Sequence, residues 1–511
     1  MIAGFCALAV AELAAAVVRP EAGPVAAVGS AVVDRTPSAV RDFAVRNFGT
    51  DDKRVLQLGI LVLLALFALG IGMLALRHRR LGSAAVLVFG LVGAVSAVGR
   101  PEGAPADALP SVVGAAVAAG ALYLLVGRLT PAHRPSPAAG EGNGEPYGAF
   151  DRRGFVVAAT ATAAVSAGAG FLGRRLTSSV QAGATASRHD LILPAPRSAA
   201  PAVPAGADLR IRGLSPFITP NKDFYRVDTA LVVPRVDAGA WRLRIHGKGV
   251  ARPVTVGLHD LLRREVVERD ITLACVSNEV GGPYVGNARW LGVRLADLLR
   301  EAGVRPPSKG GPADQIVARS VDGMTIGTPV EAVMDGRDAM LAFGMNGEPL
   351  PFEHGFPVRM VVPGLYGYVS ACKWIKDIEL TTFDAYDAYW VERSWSQQAP
   401  VKTESRIDTP RPFASPKAGT VPVAGVAWAQ HRGISRVEVR VNGGEWHTAR
   451  LAAADTRDTW RQWVWEWPAT SGDHTLEVRA TDGTGATQTG VRVGTVPDGA
   501  TGWHSVAVHV P

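Results

Sequence analysis

The sequence predicts a multidomain chain of three unlike parts: an all-α transmembrane bundle, then an α+β domain, then an all-β sandwich. Three observations predict it. Apolar residues make up 47% of the 511 positions but are concentrated before about residue 175, where Ala, Val, Leu and Gly dominate. All 12 Trp lie after residue 240. Beyond that point short alternating runs broken by Gly and Pro replace the long apolar ones, first mixed with helical patches and then alone. A chain of this length is also too long for one core. These shifts divide it into a membrane region at 1–176, a linker at 177–208, an α+β domain at 209–395 and a sandwich at 396–511.

The bulk numbers exclude some functions. The net charge of +7 is spread over isolated Arg residues rather than gathered into basic runs, so nucleic acid is not an expected partner. Three cysteines are too few for a disulfide framework. Cys6 sits in an apolar run, where a thiol behaves as a small hydrophobe. Cys275 and Cys372 are left to explain.

In the membrane region, Val55 to Leu76, Leu81 to Val98, Leu109 to Val126 and Phe155 to Leu172 are long and apolar enough to cross the hydrocarbon core. Ile2 to Val18, interrupted by Glu12, is a shorter fifth candidate, and it lacks the basic leader of a signal peptide. Lys and Arg near span ends stay cytoplasmic. Arg77, His78, Arg79 and Arg80 fill one loop, and Arg128, Arg134, Arg152 and Arg153 the next but one, whereas Arg100 is offset by Glu102 and Asp107. The last span therefore runs outward, and everything after about residue 175 is expected on the extracytoplasmic side. Asp151-Arg152-Arg153-Gly154-Phe155 reads either as an internal twin-arginine export signal or as a positive-inside flank; a cofactor loaded in the cytoplasm would favour export. No span has a His within its apolar stretch, so haem held by two His is not expected there.

Gln181 to Asp208, rich in Ala, Pro and Ser, reads as an extended linker. Trp241 to His246 then alternates as a strand, with helical patches at Leu258 to Val267 and Leu295 to Ala302. Asp270 to Cys275 is an apolar strand that ends on a Cys at the start of a loop, a rigid mount for a side chain aimed into a site. A thiolate suits a soft metal whose other ligands come from a cofactor, but one Cys by itself reads better as a buried structural thiol.

The segments C-terminal to Cys275 change that balance. Gly286-Asn287-Ala288-Arg289-Trp290-Leu291-Gly292-Val293-Arg294, then Met345-Asn346-Gly347-Glu348-Pro349, His354-Gly355-Phe356-Pro357-Val358-Arg359, Val362-Pro363-Gly364-Leu365-Tyr366-Gly367 and Lys373-Trp374-Ile375 come in order. In this order and spacing they resemble the molybdopterin-binding domain of the sulfite oxidase family, from about residue 210 to 385. The resemblance implies a molybdenum-molybdopterin cofactor, with Cys275 as the metal's protein ligand. It also implies His354, Arg359 and Lys373 as cofactor-binding residues, with Arg289 a fourth. Taken singly, each reads as a surface cation. A pterin that ends in a phosphate needs basic and imidazole groups together. Asn221 and Phe224-Tyr225 lie where the family carries an aromatic pair at its cofactor.

Two places depart from the family. Sulfite oxidases continue after the aromatic pair with Arg-Asn-His, where this chain has Val227, Asp228 and Thr229 and an Arg one residue early at 226. In an extended segment a one-residue shift turns a side chain to the opposite face, so Arg226 is not expected to substitute. Met324 stands where many relatives have a Tyr near the metal, and Met cannot donate that hydrogen bond. Both departures argue against taking sulfite as the substrate.

After Tyr389-Trp390, strands are expected at Thr420 to Ala427, Ile434 to Asn442, Trp460 to Trp467 and His474 to Thr481, with turns at Gly443-Gly444 and Asp482-Gly483. The spacing suggests an immunoglobulin-like sandwich, and it resembles the family's dimerisation domain, which implies a homodimer. Trp463, Trp465 and Trp467 share one face, which fits packing better than a carbohydrate site.

The expected function is two-electron oxygen-atom transfer on a small extracytoplasmic substrate, a sulfite-like oxyanion or a sulfoxide. Electrons would pass to a separate partner, a cytochrome or quinone-linked carrier, since no haem-attachment motif or iron-sulfur Cys cluster is present in the sequence. The rivals are a non-catalytic exported scaffold and a redox thiol protein with a Cys275 to Cys372 disulfide. A topology reporter fused after Ser187 is expected to read extracytoplasmic; a cytoplasmic signal overturns the orientation.

Overall fold

The computed structural model describes residues 1–36, 40, 52–100, 103–129 and 152–511. Asp151 of the Arg-Arg motif, Arg134 and Glu102 lie outside the described residues. The chain divides into two units, one of Met1–Gly183 with Thr229–Val233 and one of Ala184–Asp228 with Pro234–Pro511.

The first unit is helical. Val55–Arg77, Arg79–Val98, Pro105–Leu129 and Arg152–His189 are long and apolar enough to cross a membrane, and their large side chains, such as Leu63, Phe67, Leu91 and Leu124, point outward. Small residues take the inner positions instead: a Cβ on Gly90 would meet that of Ala115 at 2.2 Å, so the helices approach along Gly and Ala. Ile2–Val18 is helical but shorter. The sequence pattern does not reveal the helix Pro24–Arg35, which begins with Pro in its first turn.

In the second unit, β1 (Arg242–Gly247), β2 (Val254–Gly257), β3 (Val266–Ala274), β4 (Val285–Arg294), β5 (Gln315–Ser320), β6 (Thr325–Pro329), β7 (Met340–Met345), β8 (Glu348–Pro349), β9 (Arg359–Val361) and β10 (Ile375–Thr381) build two five-stranded sheets. One has the order β2-β1-β10-β5-β6, with β1 and β10 parallel. The other runs β3-β4-β7-β8, with β9 also on β7, and is antiparallel throughout. Alternation along β4 sends Gly286, Ala288 and Trp290 to one face and Asn287 and Arg289 to the other. The helix expected over Leu258 to Val267 stops at Leu262, and Val266 and Val267 open β3. Their β-branched side chains are buried there, so packing outweighs the helical periodicity.

The expected linker is not an extended spacer throughout. The helix beginning at Arg152 continues to His189. Further on, Arg197 N–H donates to Val266 O at 2.8 Å and Glu268 N–H to Ser198 O at 2.9 Å, so residues 197 and 198 cover the outer edge of β3.

β11 (Glu404–Thr409), β12 (Gly419–Trp428), β13 (Ile434–Val441), β14 (His447–Thr448), β15 (Arg450–Leu451), β16 (Arg461–Ala469), β17 (Gly472–Asp482) and β18 (His504–Val510) form two antiparallel four-stranded sheets, β11-β12-β16-β15 and β14-β13-β17-β18. They share one core that holds Val423, Trp463, Trp467, Val437, Val439, Leu476 and Val508, with Trp465 packed against it. The Trp alternation therefore serves packing. Trp463→Ala, which empties the centre of this core, is expected to cost about 3–5 kcal/mol, read as a lower denaturant midpoint.

Candidate cofactor site

Cys275 is the first residue after β3 and is 8% exposed. Its N–H donates to Tyr284 O at 2.9 Å and its carbonyl accepts from Asn278 N–H at 3.1 Å, which closes the following loop on itself. Burial pushes the thiol up, opposed by hydrogen bonds from Ser277 and by the charge of Lys373. Cys275, Cys372 and Cys6 are all free.

An aromatic group lies beside this thiol. The rings of Phe224 and Tyr225 stack at 5.2 Å, and Tyr225 reaches Tyr284 at 6.3 Å. Phe224 also packs edge-on against Trp290 at 5.8 Å and His354 at 5.5 Å. The approach needs Gly286, because a Cβ there would lie 2.8 Å from the Phe224 ring. The Tyr225 hydroxyl is held protonated, mainly by burial and next by the nearby Cys275.

The cations come from three elements. His354 ends a 3-10 turn, Phe352–His354. Arg359 opens β9, and Lys373 precedes β10. Gly355 joins the first two at φ +109°, and a Cβ on it would come within 3.1 Å of both Arg359 and Lys373. All three side chains are buried, at 4%, 3% and 7% exposure for His354, Arg359 and Lys373.

Their partners differ. Lys373 Nζ donates to Asp228 Oδ2 at 2.9 Å, and Arg226 Nε donates to the same oxygen at 2.9 Å. Arg359 donates to His354 O at 3.2 Å and leans over Trp290 at 5.0 Å, but its Nε has no hydrogen-bond partner and no carboxylate pairs with it among the described residues. A His354 ring nitrogen, Nε2, lies 3.0 Å from Asn221 O, which makes it the protonated one and leaves Nδ1 an open acceptor without a partner. Burial holds Arg359 down to about 10 and Lys373 down to about 8, Asp228 working against the latter. A desolvated cation without a counter-ion costs several kcal/mol. An anionic group that offers a hydrogen bond to Nδ1 would satisfy both orphaned atoms, which is what a pterin with a terminal phosphate carries. The residues present fit that cofactor.

The structure brings together Cys275, Phe224, Tyr225, His354, Arg359 and Lys373. Asn221 joins them through its backbone carbonyl, while its side chain holds Asn346 Nδ2 at 2.8 Å. Arg289 does not join the cations. It lies on the opposite face of β4 from Trp290, clamped to Asp270 at 2.7 and 2.8 Å, and it is a structural ion pair by geometry. Arg226 meets the cations only through Asp228, on the same side of a segment, residues 224–228, that forms no strand. Val227 is 41% exposed. In the sequence Asp228 stands out only as a departure and Trp290 only as part of a motif; a buried carboxylate between two cations has no local sequence signal. Met324 occupies the turn between β5 and β6, next to Gly323.

Residues 230–390 match the family model of the oxidoreductase molybdopterin binding domain. The chain is similar to mitochondrial sulfite oxidase of Homo sapiens, 29% identical over 306 residues, covering 51% of this chain and 55% of the relative. It is also similar to nitrate reductase [NADH] 1 of Oryza sativa subsp. japonica, 35% identical over 196 residues, 34% of this chain and 21% of the relative. Among solved structures, sulfane dehydrogenase SoxCD from Paracoccus pantotrophus matches at 28% identity and TM-score 0.47, covering 53% of this chain and 74% of that one. The chain spans about half the length of the mitochondrial sulfite oxidase it matches. The stretch matched by that family model, residues 230–390, holds Cys275, His354, Arg359 and Lys373.

Two outcomes test the site. In cofactor-free protein, Arg359→Met is expected to raise stability by roughly 1 kcal/mol or more, because it removes an unpaired buried charge, while pterin retention falls; a destabilised cofactor-free variant overturns the assignment. Burial first, and then Lys373 and Arg359, hold His354 down from 6.5 to about 3. A base depressed in the folded state gives its full stability above its unfolded value and loses it as pH falls to the folded one. Cofactor-free protein should therefore lose stability between pH 6.5 and about 3, less steeply in His354→Gln, as read by denaturant midpoints.

Proposed function

Because residues 230–390 match a molybdopterin binding domain, we propose that this chain is a membrane-anchored molybdenum-cofactor oxidoreductase. It performs two-electron oxygen-atom transfer on a small extracytoplasmic substrate, a sulfite-like oxyanion or a sulfoxide. The observation that carries this reading is buried Arg359, which lacks a carboxylate partner among the described residues and lies beside a neutral His354 with an open Nδ1.

Molybdopterin, when bound, supplies a metal that exchanges an oxygen atom and two electrons with substrate. Everything else falls to the chain. Cys275 stays a thiol until a metal takes the place of its proton, so loading releases a proton and grows tighter as pH rises. Arg359 and His354 hold the anionic end of the cofactor, with Arg359 as the charged donor and Nδ1 as the acceptor. Tyr225 stays protonated and can donate through its hydroxyl. Phe224 and Trp290 wall off the site and exclude water, which strengthens each of these interactions.

The four long apolar helices serve as the membrane anchor, and a separate cytochrome or quinone-linked carrier takes electrons singly when the substrate is oxidised and supplies them when it is reduced. The last domain acts as an immunoglobulin-like dimerisation module. Purified full-length protein is expected to hold stoichiometric molybdenum and pterin, and Cys275→Ala to lose the metal. Metal-free protein whose stability Cys275→Ala leaves unchanged would overturn the enzyme reading in favour of a non-catalytic scaffold.

A further inference from the structure

The helix Arg152–His189 is long and apolar enough to cross a membrane, yet its end, from Ala184 on, groups with the second unit. Three polar side chains there meet residues of that unit. Thr185 Oγ1 accepts from Arg235 Nη1 at 3.2 Å, and Ser187 Oγ accepts from Ala238 N–H at 3.1 Å. Arg188 does more. Its Nε donates to Leu350 O at 2.7 Å, and its Nη2 donates to Pro349 O at 2.7 Å and to Glu348 Oε2 at 3.3 Å. One guanidinium thus grips Glu348, Pro349 and Leu350, which lead through Pro351 into the turn that carries His354.

The same grip reaches His354 from a second side. Glu348 Oε1 accepts from Asn221 Nδ2 at 2.9 Å, and Asn221 O accepts from His354 Nε2 at 3.0 Å. That last bond is what leaves Nδ1 the open acceptor. Arg235, bonded to Thr185, also lies over the Phe352 ring at 4.9 Å, in the same turn as His354. Exposure decides which contact matters most. The Arg188 side chain is 26% exposed and that of Glu348 is 56% exposed, so solvent screens the ion pair and it is worth little. The two carbonyl bonds are short and charge-assisted, and Leu350 is buried.

We infer that Arg188 is a positioning residue for the cofactor site: the end of this helix clamps the segment Glu348 to Leu350 and so holds His354 in the orientation and tautomer that receive a phosphate. The helix is then part of the cradle as well as an anchor. This rests on the cofactor reading above.

Inorganic phosphate, titrated calorimetrically into cofactor-free full-length protein in detergent, tests the cradle without turnover. Arg188→Ala is expected to weaken phosphate binding about tenfold, the worth of one charge-assisted hydrogen bond. Arg188→Lys keeps the charge but lacks the fork that bonds both carbonyls, and should weaken binding nearly as much. Glu348→Gln, which removes only the screened ion pair, should change it less than about threefold. In a His354→Gln background Arg188→Ala should cause no further loss, because Arg188 acts through His354. Nitrogen NMR of labelled histidine should show His354 protonated on Nε2 alone in wild type and as a mixture of tautomers in Arg188→Ala. Wild-type affinity in Arg188→Lys, or an equal loss from Arg188→Ala in both backgrounds, overturns the proposal, since the first makes Arg188 a mere charge and the second a general support. Wild type that binds no phosphate overturns the cofactor reading and, with it, this one.

Discussion

A guanidinium is buried without a carboxylate among the described residues. Arg359 is 3% exposed; the carbonyls of His354 and Ala371 accept from its terminal nitrogens, but Nε is unsatisfied, Lys373 adds like charge and His354 stays neutral. A protein keeps such an arrangement only if surrounding structure over-determines it and a ligand later repays the desolvation. The over-determination is visible. Gly355 sits at φ +109° with room for a Cβ only at 3.1 Å from Arg359 and Lys373, Trp374 Nε1 donates to Phe352 O at 2.8 Å, and Trp290 backs the guanidinium.

That constraint extends outward to the sandwich, which belongs to the same unit. Thr272 of β3 is held by the sandwich at both backbone atoms and the hydroxyl: its N–H by Asp458 O, its carbonyl by Gln430 Nε2 and its Oγ1 by Trp460 N–H. The strand that mounts Cys275 is thus fixed three residues before the thiol. On the loop at 364–367, Tyr366 N–H donates to Ala399 O and Val401 N–H to Gly364 O. The sandwich braces the walls of the site without lending a side chain to the cation cluster, as expected for a supporting shell that keeps a site within tenths of an ångström.

Arg289 and Arg226 show where sequence reasoning reaches its limit. Arg289 sits in a motif of the right spacing and is expected with the cations, but β4 alternation sends its side chain to the face where Asp270 waits. Arg226 reaches the cations only through Asp228, a pairing across a buried space that its own segment does not signal. Periodicity is informative only once the local conformation is known, and for a Pro-, Asp- and Lys-bearing approach such as 220–228 the sequence does not supply it.

Sequence alone determined the order of the parts, the long apolar helices, the strand that ends on Cys275, most sandwich strands, and the aromatic and cationic positions that the structure gathers near that Cys. Each of these rests on a local signal: hydropathy over a span, alternation over a strand, or motif spacing. Tertiary structure decided which cations are available. Whether Lys373 is free or already paired with Asp228, and whether Arg359 has a counter-ion, depends on side chains more than a hundred residues apart meeting in a buried space. Charge pairing in a low-dielectric interior is a property of that meeting, and no window along the chain contains it.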